Sequence, residues 1–204
     1  MPITTINSSQ KNPLQVLATI FSSAARVAVL RVFMIDPRRA YYQRQLEEVC
    51  CLPLRAVQRE LERLASSGLL YRRAEGNRAY YQVDVDFPLF PELRAIVMKS
   101  VGDVDAVRAA LAWDEGVRLA FLHESGDRVL VVTRAGKRFS GGKQRGIGVE
   151  VMTSEEFMRA LSDKSEVLNP YLVRGADVLG RREDVIWRHI AAAGYDVKKG
   201  EGVP

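Results

Sequence analysis

The sequence predicts an α+β protein with an N-terminal helical unit that ends in a β-hairpin, a connecting helix, and a small C-terminal α/β unit. Two patterns support this class. Apolar residues recur at helical spacing as far as Gly68, and beyond Trp113 the period switches to two, which is typical of strands. The length of 204 residues suits two small domains better than one. We expect the units to span residues 1–88, 89–114 and 115–204.

Three helices open the N-terminal unit. They are predicted at 13–21, at 24–34 with a cap from Ser22 and Ser23, and at 43–50 with Leu46 and Val49 facing inward. Asp36 and Pro37 end the second helix, since proline cannot continue it. Tyr41 and Tyr42 are expected at the start of the third helix.

A fourth helix opens at Pro53, because proline is tolerated at a first helical position. Its inward stripe is Leu54, Val57, Leu61 and Leu64, and Gly68 supplies the C-terminal cap. Short strands at 69–73 and 79–83 then flank the turn Glu75-Gly76-Asn77. The last three of these four helices and the hairpin, with a short turn between the third and fourth helices, predict a helix-turn-helix followed by a wing.

This arrangement predicts binding to double-stranded DNA. The segment from Arg26 to Arg78 holds 11 basic and 6 acidic residues, a local net charge of +5. On the fourth helix, Arg55, Gln58, Arg59 and Arg63 have long polar groups that suit base edges in a major groove, and the first three are expected to read bases. The remaining predicted contacts, mostly to phosphates, are Arg38, Arg39, Arg44, Pro53, Arg72, Arg73, Asn77 and Arg78. The alternative is a solvated helix face, since Glu60 and Glu62 are interleaved with the basic residues.

The stretch from Leu89 predicts one amphipathic helix, interrupted by Gly102. Its apolar stripe is longer than a single small domain needs to cover, which favours a homodimer. The residues assigned to that contact are Leu93, Ile96, Val97, Val101 and Val104. Packing against the chain's own two halves is the alternative.

The C-terminal unit is predicted to have strands at 117–122, 128–133 and 148–152. Thr153 to Glu156 form a capping box for a helix that reaches about Leu161, and a final helix covers about 183–193. The loop from Arg134 to Gly148 holds five basic residues, five glycines and no acidic residue. Lys137, Arg138, Lys143 and Arg145 are candidates to hold phosphates or DNA backbone, and a plain surface hairpin is the alternative. The loop fails the phosphate-loop spacing, and Gln144 stands where Ser or Thr is required.

Composition narrows the remaining classes. No apolar run approaches a membrane span, and the N-terminus lacks a signal-peptide pattern, so we expect a cytoplasmic protein with no membrane partner. Cys50 and Cys51 are adjacent and are expected to be thiols in the core or turn. A metal-sensing role would need further ligands, and the only histidines are His123 and His189. We predict no metal and no cofactor.

The span from Ala24 to Val83, which includes "YYQRQLEEVCCLPLRAVQRELERLASSGLLYRRAEGNRAYYQV", resembles ArsR-type winged-helix regulators. The segment "FPLFPELRAIVMKSVG", Phe87 to Gly102, is similar to the one that joins such a domain to a nucleotidyltransferase-like domain in one group of these regulators. The resemblance implies a dimeric bacterial or archaeal transcriptional regulator. It would contact a palindromic operator through Pro53 to Arg63 and through the wing.

Nucleotidyltransferases of this type carry a Gly-Ser turn after the first strand, an Asp-x-Asp pair on the second, and a third carboxylate. Here "LAFLHESGDRVLVVT" stands at the matching place, with His123 and Glu124 instead of Gly-Ser and with Asp127 alone, followed by Arg128. Glu150 is the only candidate for the third carboxylate. Too little negative charge remains to hold a metal pair, so we expect a non-catalytic domain.

Three functions therefore stay open, with a sequence-specific transcriptional regulator preferred. The first alternative is a non-specific or architectural DNA-binding protein. The second is a remnant nucleotidyltransferase that uses Asp127 and Glu150. Within the preferred function, a nucleotide or protein effector of the C-terminal unit is also open.

Overall fold

The computed structural model describes residues 12–137, 139 and 145–203, and it is α+β as the sequence predicts. Its N-terminal part has four helices and a three-stranded sheet. In chain order these are α1 (Pro13–Ile20), α2 (Ala24–Ile35), β1 (Tyr41–Tyr42), α3 (Gln43–Cys50), α4 (Leu54–Ser66), β2 (Leu70–Glu75) and β3 (Arg78–Val83). One apolar core of residues between Leu17 and Val101 holds these elements together.

Local chemistry sets the helix ends. Ser23 caps α2 by accepting a hydrogen bond from the backbone N–H of Arg26 at 3.1 Å, which confirms the predicted cap. Helix α3 ends at Cys50, and the next residue, Cys51, adopts the left-handed conformation with φ of 51°. The prediction for α4 was one residue early, because Pro53 is the residue before the first helical turn.

The hairpin pairs β2 with β3, and β1 adds to the other side of β3, so the strand order is β1-β3-β2. The sequence did not predict β1, which was expected to be the first turn of α3. Tyr41 and Tyr42 instead pair with Tyr81 and Tyr80. Tyr81 is buried in the core, while Tyr80 points to the other face of the hairpin and packs edge-on against Tyr42.

The predicted single connecting helix is two helices, α5 (Phe90–Ser100) and α6 (Asp103–Trp113). Val101 is extended and Gly102 is the residue before the first turn of α6, so the helical hydrogen bonds stop between them. Val97 and Val101 are buried in the N-terminal core, and Leu93 packs against it. Val104 packs under the C-terminal sheet, which leaves Ile96 as the exposed member of the stripe. Packing against the chain's own halves thus accounts for most of this stripe.

The C-terminal part is a five-stranded mixed sheet in the order β6-β5-β4-β7-β8. Its elements are β4 (Val117–Leu122), β5 (Arg128–Thr133), β6 (Gly148–Thr153), α7 (Ser154–Ser162), α8 (Asn169–Leu172), β7 (Ala176–Asp177), α9 (Ile186–Ala192) and β8 (Lys198–Lys199). Side chains alternate between two cores: Leu130 and Val132 face α7, α8 and α9, while Val129 and Val131 face α6. Both faces of the sheet are therefore covered.

Arginine side chains make polar contacts where the N-terminal part, α6 and the C-terminal part pack together, and we call this contact region the seam. Arg31 of α2 donates to Asp105 of α6 at 2.7 Å, and Arg39 donates to the carbonyl of Leu179 at 3.0 Å. Arg108 is buried and donates to the carbonyl of Val178 at 2.9 Å. Each of these contacts satisfies a polar group that packing has removed from water.

Among the described residues, no single helix is long and apolar enough to cross a membrane. Helices α1 and α2 meet the criterion only when taken together, and the chain bends by 116° between them.

Candidate nucleic-acid interface

The outward face of α4 carries the predicted base-reading residues. Its inward residues Val57, Leu61 and Leu64 are buried, and this fixes which side faces solvent. Arg55, Arg59 and Arg63 are exposed on that side, and Gln58 is half-buried. A row of long donors on one helix face is the arrangement that base readout in a major groove requires.

Gln58 links this face to the start of α3. Its amide nitrogen donates to the side-chain oxygen of Gln43 at 3.2 Å. The bond fixes the orientation of the Gln58 amide, and among the described residues its oxygen and its second N–H remain available to bond another group. Gln43 was not among the predicted contacts, and no pattern in the sequence singles it out.

Gln43 also lines a pocket of about 360 Å³ between the start of α3 and the tip of the hairpin. Arg44 contributes from α3, and Asn77 and Arg78 contribute from the hairpin. The guanidinium of Arg78 lies 4.8 Å from the centre of the Tyr42 ring, which holds it beside the pocket. The structure therefore brings four of the predicted groups, namely Arg44, Gln58, Asn77 and Arg78, into one continuous polar surface.

The hairpin arginines divide between its two faces. Arg73 pairs across the strands with Tyr80, so it shares the outer face with Arg78, while Arg72 lies opposite Tyr81 on the inner face. Arg72, Arg73 and Arg78 are all exposed. Arg73 forms an exposed ion pair with Glu75 at 3.1 Å, which is weak enough to exchange for a phosphate.

Arg38 and Arg39 do not belong to this surface, contrary to the grouping that the sequence suggested. Arg38 pairs with Glu115 at 3.0 Å and lies over the ring of Trp113 at 5.0 Å. Arg39 donates to the carbonyl of Leu179. Both guanidinium groups are directed to the C-terminal part, and we withdraw them from the predicted phosphate contacts.

In the loop from Arg134 to Gly148, the guanidinium of Arg145 is bound within the chain. Arg145 donates to the carbonyls of Met98 at 2.7 Å and Val101 at 3.1 Å, so it caps the end of α5 instead of facing a phosphate. Lys137 is exposed, as expected. Arg138 and Lys143 lie outside the described residues.

Glu60 does not lie on a solvated face. The alternative interpretation of α4 counted Glu60 among the residues of such a face, but its side chain has no exposed surface. It accepts hydrogen bonds from Arg26 at 3.0 Å and from Ser23 at 3.2 Å, both at the start of α2. The signal was present: residue 60 falls on the apolar stripe of α4, three positions after Val57 and four before Leu64.

An arginine-centred cluster includes Asp127 and Glu150, the two carboxylates that the remnant-nucleotidyltransferase alternative would use. Arg128 donates to Glu150 at 3.3 Å and lies 3.6 Å from Asp127. Its guanidinium also donates to Nε2 of His123 at 3.1 Å, while Ser125 bridges His123 and Asp127. The Ser125 hydroxyl lowers the pKa of Asp127. Both candidate carboxylates thus already have a cation beside them.

In the part of the chain that the structure describes, no group of three or more His, Cys, Asp or Glu side chains is placed to hold a metal ion. Burial raises the pKa of Cys50 to about 12, so this thiol is protonated at neutral pH. Cys51 is exposed in the turn between α3 and α4, and its thiol donates to the carbonyl of Glu48.

Comparison with protein-family profiles, curated proteins and solved structures gives no significant match to this chain. Its function is therefore inferred from its residues and their geometry.

Proposed function

We propose that this protein is a sequence-specific DNA-binding transcriptional regulator. In this proposal residues 12–88 are a winged helix-turn-helix, with α3 and α4 as the helix pair and β2-β3 as the wing. The C-terminal part is a nucleotidyltransferase-like unit without catalytic activity, which shapes the protein or binds an effector.

The observation that carries the proposal is the continuous polar surface from α4 to the wing tip. Helix α4 has 13 residues and is about 20 Å long, which suits a helix that lies in a major groove. The bond from Gln58 to Gln43 joins its outward face to the pocket that Arg44, Asn77 and Arg78 line. Base-reading donors and phosphate-binding cations thus stand side by side.

The C-terminal part is proposed to lack catalytic activity because a positive charge already lies beside its two candidate carboxylates. Nucleotide transfer needs carboxylates that are free to bind magnesium ions, and these ions neutralise the phosphates as the bond to the leaving pyrophosphate breaks. The guanidinium of Arg128 lies against Asp127 and Glu150 and would repel a divalent cation. Magnesium-dependent pyrophosphate release from any of the four nucleoside triphosphates would contradict this part of the proposal.

A homodimer on an inverted repeat also stays a proposal. Of the five residues that the sequence assigned to the contact, Ile96 is 42% exposed, whereas Val97 and Val101 are buried within the chain. A pairing surface on α5 would therefore be built around Ile96. Sedimentation of the unaltered protein and of Ile96→Glu would show whether this face pairs.

The deciding experiment is selection of bound duplexes from a random pool, at two salt concentrations, followed by sequencing. An enriched inverted repeat with half-sites about one helical turn apart would support a dimeric, sequence-specific regulator. Binding that is sensitive to salt but enriches no sequence would favour an architectural protein instead. No binding at either salt concentration would reject the proposal.

Arg59→Ala tests whether α4 reads bases. We expect preference for the selected site to fall by about fivefold or more, since one good base contact gives that much discrimination. Binding to random duplex should change much less. Equal losses on specific and random duplex would show that Arg59 contacts only the backbone.

A further inference from the structure

The buried carboxylate of Glu60 has a second set of neighbours on the outward face of α4. Nε of Arg59 lies 3.6 Å from it and Nη1 of Arg63 lies 3.4 Å from it. These two side chains are 59% and 55% exposed, so each has one end on Glu60 and the rest in solvent. The same carboxylate is fastened from the other side by Arg26 and Ser23.

This geometry makes Glu60 more than a surface charge. A carboxylate without exposed surface is poorly screened by water and salt, so its attraction for nearby guanidinium groups persists where an exposed pair would lose it. Its two bonds to the start of α2 fix its position, and it cannot follow a moving arginine. Arg59 and Arg63 are therefore tethered to a fixed point beneath the helix surface.

We propose that Glu60 is a positioning residue for DNA recognition. It orients the guanidinium groups of Arg59 and Arg63 along α4 for base contacts and restrains them from swinging to the phosphates. This inference rests on the proposed DNA-binding function. A merely structural Glu60 would fasten α4 to α2 and would affect specific and random binding alike.

The test compares Glu60→Gln with Glu62→Gln. Both changes remove one negative charge from the same helix, but Glu62 is exposed and forms no ion pair among the described residues. We expect Glu60→Gln to release the two arginines, so binding to random duplex should strengthen and its salt slope should steepen by about 0.9 for each arginine that gains a phosphate. Preference for the selected site should fall by about fivefold or more. Glu62→Gln should leave that preference unchanged.

Two outcomes would overturn the proposal. One is an equal change in preference for both variants, since net charge would then explain it. The other is a parallel loss of specific and random binding in Glu60→Gln that follows a lower melting temperature, which would indicate a structural role.

If Glu60→Gln does not fold, a measurement on the unaltered protein still tests the tether. Nitrogen-15 spectra of the arginine side chains should show slower Nε–H exchange for Arg59, and slower Nη–H exchange for Arg63, than for the same groups of Arg55, which has no ion pair among the described residues. Equal exchange for all three would reject the tether. This measurement needs no DNA, so slow exchange together with absent duplex binding would reject the proposed function but not the tether.

Discussion

Arg78→Ala is the substitution that best separates the contribution of the wing to DNA binding from any effect on folding. Arg78 is exposed beside the pocket between the hairpin tip and α3. Its packing on Tyr42 is an exposed cation–π contact, which contributes about 0.5–1 kcal/mol to folding. The variant should therefore remain folded, and any change in DNA binding can be assigned to the lost charge.

The expected size of the effect follows from counterion release. One phosphate contact contributes about 0.9 to the slope of log affinity against log salt. Between 50 and 200 mM salt, the ratio of wild-type to variant affinity should therefore shrink by about 3.5-fold. The loss should be similar on the selected site and on random duplex, because phosphates carry no sequence.

Fluorescence anisotropy with both duplexes across this salt range measures the slope. Arg188→Ala is the matched control, because Arg188 is an exposed arginine on α9, away from the proposed interface. It changes net charge equally and should leave the slope unaltered. If the two variants lower the slope by the same amount, the wing makes no local phosphate contact and the reasoning fails.

Three further predictions concern folding and the thiols. Arg108→Met should lower the free energy of unfolding by about 1–3 kcal/mol in urea denaturation, since buried Asp105 keeps Arg31 as a partner but the carbonyl of Val178 loses this donor; an unchanged free energy of unfolding would contradict this. Burial raises the pKa of Asp36 above 3.8, so stability from this carboxyl is full below pH 3.8 and falls as pH rises through the folded-state pKa. Asp36→Asn should therefore stabilise the protein near neutral pH and lose that gain below pH 3.8, as urea titrations at both pH values would show. Iodoacetamide should label Cys51 well before Cys50 at neutral pH, and peptide mass spectrometry showing equal rates would contradict the partial burial and raised pKa of Cys50.

The longer elements could be predicted from the sequence because their signals are local. The apolar spacing in α4, the capping box at Thr153 and the turn at Gly76 each specify structure within a few residues, and the structure confirms all three. Strands β1, β7 and β8 could not be predicted, since each has two residues and exists only through pairing with distant strands. Two residues carry no periodicity that could reveal a strand.

The candidate site was predictable in its residue types but not in its partners. Exposed arginines on α4 follow from the position of its apolar stripe. Nothing local shows that Arg39 donates to Leu179, 140 positions away, or that Arg145 caps α5. Arginine is long and carries five donors, so a pattern that predicts a cation does not fix which acceptor it meets.

The arginines of this protein fall into two groups. Some donate to acceptors within the chain and others are exposed, and this difference limits which of them could contact DNA. Those at the seam, such as Arg31, Arg39 and Arg108, donate to groups of α6 or the C-terminal part and could reach a phosphate only by leaving acceptors unpaired. Those on α3, α4 and the wing are exposed. We therefore expect DNA to contact the start of α3, helix α4 and the wing. The arginines of the seam should make no contact with DNA.

Helix α2 is the element that touches both regions. At its start Arg26 holds Glu60 of α4, and about 1.4 turns later Arg31 holds Asp105 of α6. A rigid helix transmits a shift at one end to the other, because its backbone hydrogen bonds resist bending. If a ligand of the C-terminal part moved α6, the shift would reach the proposed recognition helix through the pairs Arg31–Asp105 and Arg26–Glu60. An effector of this protein would therefore alter sequence discrimination through Arg59 and Arg63 more than it alters the wing.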